Sequence, residues 1–237
     1  MVKLNLKEVL GDWYPIVGHV LSLPENSQIG ERLARDIHLL QPELHNVFRA
    51  FQLTPPDEVK VVILGQDPYP GGHADGLAFS SGIDDIPYSL QVIMRNMEAA
   101  GMPRKSPKLD DWARQGVLLI NNTLTTIKGT TNAHHTIGWG RIITAVLQHL
   151  AETNRPMVWI AWGSFADSRI RTVIHGVTNR VEIFSGFHPA TERHGYIFRG
   201  GKHFLKANEF LVKHGIKPIQ WSDSISHNCK AVRSTGQ

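Results

Sequence analysis

A chain of 237 residues is long enough for one compact domain, or two small ones, around a sizeable hydrophobic core. Its single cysteine, Cys229, excludes an internal disulfide and any zinc or iron–sulfur centre built from cysteines. Twenty-five Lys and Arg against 21 Asp and Glu leave a net charge of +4, which permits a polyanionic partner without demanding one.

In chain order, Met1 to Gly11 scatter Lys3, Lys7 and Glu8 through the segment, so no secretory signal is expected. No run of about 18 apolar residues predicts a membrane span. With one free thiol, the simplest compartment is a reducing, cytoplasmic one. From Gly30 to Leu40, the residues Leu33, Ile37 and Leu40 recur at helical spacing. Pro42 restarts a second helix with Leu44, Val47, Phe48 and Phe51 on one face. Val59 to Leu64 is a continuous β-branched and aliphatic run, the pattern of a strand buried on both faces. Val117 to Ile120, Met157 to Ala161 and Val181 to Phe184 look similar.

Helical patterns separate these runs. Ser89 is placed to cap a helix through Ala100; Trp139 to Ala151 forms another; Ser164 is placed to cap a third. A last helix runs from Lys202 to His214. The alternation predicts an α/β single domain with a central four-stranded, mostly parallel sheet covered by helices on both faces. The domain is expected to end at Trp221, with Ser222 to Gln237 a polar, loosely ordered tail.

In such sheets the ligand lies beyond the C-terminal strand ends. The first strand leads into Gly65-Gln66-Asp67-Pro68-Tyr69-Pro70-Gly71-Gly72-His73, a stiff loop holding a carboxylate, an amide and an aromatic. There Asp67 either positions a water or merely bonds backbone amides. The second strand ends at Asn121, whose carboxamide can read a base edge or simply form a turn. The third ends at Trp162-Gly163-Ser164, and the fourth leads to Phe187-His188-Pro189. No His-Glu-x-x-His, phosphate-binding nucleotide loop or nucleophile elbow is present.

In their order along roughly residues 30 to 221, these segments resemble family 1 uracil-DNA glycosylases. The run Val61 to Tyr69 resembles the family's water-activating loop; Gly76-Leu77-Ala78-Phe79-Ser80 the segment that stacks the base; Ile86-Pro87-Tyr88-Ser89-Leu90 its proline-rich loop. Trp112 to Asn121 resembles the strand bearing the uracil-reading Asn, and His134 to Trp139, Trp162-Gly163-Ser164 and His188-Pro189 follow in register. The resemblance implies excision of uracil from single- or double-stranded DNA by a monomer without metal or cofactor. Asp67 and His188 are then catalytic. Gln66, Tyr69, Phe79 and Asn121 bind the base, Tyr69 excluding a C5 methyl. Ser89, His134, Ser164, Ala190, Glu192 and Arg193 contact DNA. The alternatives are a same-fold glycosylase of other specificity and a catalytically idle DNA-binding scaffold.

Two departures stand out. Pro70 stands where the family has His. After His188-Pro189 the run is Ala190-Thr191-Glu192-Arg193, so Glu192 occupies the position of the family's duplex-entering Leu. A carboxylate is a poor wedge among bases and phosphates, so weaker flipping from duplex and a relative preference for single strands are expected.

Overall fold

A computed structural model describes residues 5–176 and 180–223. Helices α1 (Leu6–Leu10), α2 (Tyr14–Leu21) and α3 (Ser27–Arg35) open the chain, followed by β1 (Leu40–Gln41) and α4 (Arg49–Leu53). Then come β2 (Val61–Gly65), α5 (Tyr88–Ala99), α6 (Asp110–Ala113), β3 (Val117–Asn121) and β4 (Thr126–Ile127). The last elements are α7 (Trp139–Glu152), β5 (Met157–Trp162), α8 (Ser164–Val173), β6 (Val181–Gly186) and α9 (Gly201–Lys213).

Four strands form one parallel sheet in the order β3-β2-β5-β6. Every residue of β2, β3 and β5 is buried, which requires helices on both faces and explains the unbroken aliphatic runs. Of the two edge strands, β3 is buried and β6 is only partly covered. Register aligns the strand ends: Gly65 lies opposite Asn121, Leu64 opposite Ala161, and Trp162 opposite Gly186. Connections leave β2 and β5 in opposite directions, so the topological switch point lies between these two strands at the aligned ends.

The N-terminal region departs from the expected pattern. The helix read from Gly30 to Leu40 starts at Ser27 and stops at Arg35, because Leu40–Gln41 pairs antiparallel with Thr126–Ile127. The helix read from Pro42 is a short 3-10 turn, Leu44–Asn46, before α4. Helices also precede Ser27, where Leu10, Trp13 and Val17 recur at three and four residues and are all buried.

At the other end, Trp221 is core. Its ring lies 5.0 Å from Trp112 and 4.8 Å from Phe204. From there, aromatic contacts continue from Phe204 to Trp162 (5.9 Å) and from Trp162 to Phe79 (5.2 Å, edge to face). The chain stays tied beyond the expected boundary at Trp221, since the Asp223 carboxylate accepts from Lys105 N–H at 2.6 Å. The rest of the expected tail, residues 224–237, lies outside the described residues.

Candidate active site

The aligned strand ends open into a cavity of about 430 Å³. Gln66, Asp67 and Tyr69 reach it from the loop after β2, Phe79 from the following segment, Asn121 from the end of β3, and His188 from beyond β6. Three distant stretches of sequence thus meet at one point.

Glycine makes that convergence possible. A Cβ on Gly65 would stand 2.0 Å from Asn121 Oδ1, so the Asn121 carboxamide lies across a backbone that must lack a side chain. Asn121 is buried, yet its carboxamide has no hydrogen-bond partner among the described residues. A planar acceptor and donor pair is therefore left facing the cavity.

Asp67 is half-buried. Its Oδ2 accepts the backbone N–H of Asn132 at 2.7 Å. Burial pushes its carboxyl above the ordinary value, and the Asn132 hydrogen bond opposes that rise. His188 has the opposite problem, since burial pushes its imidazole below the ordinary histidine value. Its Nδ1 accepts Ala190 N–H at 3.2 Å. That bond requires an unprotonated Nδ1, which puts the proton of the neutral ring on Nε2. His188 is thus a neutral hydrogen-bond donor at neutral pH.

Phe79 adopts a left-handed backbone, φ 64°, uncommon for an aromatic residue. Its ring is held between Trp162 and His188, 5.8 Å from the latter. The Tyr69 hydroxyl lies 2.7 Å from Ser89 Oγ, and burial raises its pKa, so it stays a neutral phenol.

The predicted DNA contacts divide sharply. Ala190 and Arg193 line the cavity, and Arg193 lies 3.9 Å over the Tyr88 ring. Ser89 also lines it, but Ser89 is buried against Tyr69; it does not cap α5, which begins at Tyr88 behind Pro87. Ser164 is exposed at the first turn of α8, away from the cavity lining, and makes no capping bond. His134 is 0% exposed: Nε2 faces Asp36 Oδ2 at 3.0 Å and Nδ1 faces Thr125 Oγ1 at 2.9 Å. Its side chain is unavailable to a phosphate, which corrects the expectation for that residue. Glu192 is not projected outward either. It pairs with Arg95 of α5 and accepts Phe198 N–H at 3.3 Å.

Sequence reasoning missed Asn132 and Tyr88. Asn132 acts through its backbone, in a left-handed conformation (φ 57°), so side-chain chemistry gave no signal. Tyr88 did carry one, lying between Pro87 and Ser89 in a segment already singled out.

Residues 51–212 match the model of the uracil DNA glycosylase superfamily. The fold resembles mimivirus uracil-DNA glycosylase at TM-score 0.80 and 27% identity, over 93% of this chain and 90% of that one. A single-substitution variant of mimivirus UNG in complex with UGI matches at TM-score 0.82 and 26% identity, over 93% of this chain and 92% of that one. UNG from Nitratifractor salsuginis shares the fold, with TM-score 0.60 and 20% identity over 90% and 97% of the two chains.

Proposed function

The chain belongs to the uracil DNA glycosylase superfamily, a family of glycosidases that act on DNA in its repair, and from that premise we propose that it excises uracil by hydrolysis of the N-glycosidic bond. The observation that carries the reading is the meeting of Asp67, Asn121 and His188, from three strand ends, around one cavity with Phe79 and Tyr69 in its wall.

The chemistry follows from those groups. A cavity floored by buried residues admits a base only after the nucleotide has left the stack. Asn121 offers an acceptor for uracil N3–H and a donor for O4, a pairing that cytosine cannot match. Phe79 stacks on the ring. The Tyr69 phenol, pinned by Ser89 in the cavity wall, is assigned the exclusion of a C5 methyl, so that thymine is rejected by shape. As the glycosidic bond breaks, positive charge develops on the sugar and negative charge on the leaving base. Ionised Asp67 stabilises the first and orients water; the His188 Nε2–H and the Gln66 backbone N–H stabilise the second at O2.

Oligonucleotides containing U:A, U:G, T:G and single-stranded U, scored for alkali-labile abasic sites, test this. Uracil release that Asp67→Asn removes supports the proposal. Comparable release of thymine from T:G would identify a mismatch enzyme, and no abasic sites on any strand a non-catalytic DNA-binding protein.

A further inference from the structure

One surface beside the cavity has no part in the chemistry above. Phe187, Tyr196 and Ile197 are 53%, 50% and 64% exposed. The rings of Phe187 and Tyr196 lie 4.9 Å apart at 45°. The turn Pro189–His194 joins them, and its Ala190 and Arg193 line the cavity. Paired aromatics left in water beside a cavity mark a binding surface.

The charge around them identifies the partner. Arg193, His194, Arg199 and Lys202 are all exposed on this stretch, and its one acid, Glu192, is already bound to Arg95. Cations interleaved with exposed ring faces suit a strand that is anionic along its backbone and offers π-faces at its bases. In a duplex those faces are covered by the neighbouring pairs. The side chain at the outer turn, Glu192, is drawn back against α5, so it does not itself enter a duplex.

Resting on the reading of the cavity as a uracil-excision site, we infer that Phe187 and Tyr196 form a stacking platform for the base next to the excised nucleotide. One ring takes the base and the tilted second ring backs it.

The test compares wild type with the Phe187→Ala/Tyr196→Ala double variant on single strands. Uracil is flanked either by ordinary nucleotides or by abasic spacers. With flanking bases, kcat/KM is expected to fall about 5- to 150-fold, as for one lost base–aromatic stack. With spacers, the variant and wild type should be equal, and Tyr196→Phe should behave as wild type on both. No loss with flanking bases, or equal loss on both substrates, overturns the platform. A second arm needs no excision: a uracil-free strand carrying 2-aminopurine should change fluorescence on binding wild type and not on binding the double variant. No response to wild type, or the same response to both proteins, overturns the platform. A platform response without uracil release would instead remove the excision reading and leave the platform standing.

Discussion

The floor of the cavity and the turn at its rim solve opposite problems. On the floor, Gly65, Asn121, Asp67 and His188 are held by backbone bonds and close packing, and burial acts on their charge states. At the rim, Arg193, Tyr196 and Ile197 stand in solvent, and one salt bridge from Arg95 to Glu192 ties the turn back. Base identity and bond breaking need fixed geometry in a dry site, where each hydrogen bond counts most. Gripping a flexible polyanion needs reach and charge. Substitutions on the floor should therefore change which base is released and how fast, and those at the rim should change how tightly DNA is held.

Short of abolishing activity, the largest expected break in that contrast is His188→Ala, which removes one donor from the developing anion. It should lower kcat by about 10²- to 10³-fold with little change in KM. The pH profile sharpens the same point. His188 is already neutral, and its imidazole is held below the ordinary value, so its protonation should not affect activity until the pH falls below about 6.5. Asp67 must be ionised, and its carboxyl is raised, so the acid limb should lie above the usual carboxylate value of 3.8. A limb at or below 3.8 would contradict the burial argument. Ionising Asp67 also works against folding: the penalty is absent below the unfolded carboxylate pKa and complete above the raised folded one. Asp67→Asn should then be inactive yet melt no lower than wild type at neutral pH, measured by calorimetry.

Next in size is Gly65→Ala. Its Cβ would collide with Asn121 Oδ1, and a shift of about 1 Å in that carboxamide should cost roughly 10²-fold in uracil release. Preserved activity would mean that Asn121 has room to move. Ser89→Ala should have a smaller effect. It frees the Tyr69 hydroxyl, so the ratio of thymine to uracil released should rise while uracil release changes less than about tenfold. The smallest effect belongs to the rim: Arg193→Ala should weaken DNA binding a few-fold and reduce the salt slope by about one. A larger effect on kcat than on KM would move Arg193 from the rim to the floor.

Legibility in the sequence follows the same divide. The buried strands were readable because burial on both faces leaves an uninterrupted aliphatic run, and the turn chemistry begins where each run stops. Asp67, Asn121 and His188 were readable because each ends such a run in a recognised order. What stayed hidden depends on contacts far apart in sequence. Asp67 and Asn132 are separated by 65 residues, Arg95 and Glu192 by 97, and His134 and Asp36 by 98. No local pattern says that a histidine will be sealed behind an aspartate, or that a carboxylate in an outer turn will fold inward. α3 failed locally for a related reason: strand pairing at Leu40 won over helical periodicity.

The aromatic contacts running from Trp221 to Phe79 place an optical probe where it is most useful. Trp162 is buried, and its ring edge touches the one that would carry an extruded base. Its indole N–H is held by His203 Nδ1 at 3.1 Å, so its surroundings are fixed until something enters the cavity. Filling the cavity should register as a change in native emission, readable in a stopped-flow instrument on unlabelled protein and unlabelled DNA. With Trp162→Phe as the blank, base entry becomes a time course separable from bond breaking.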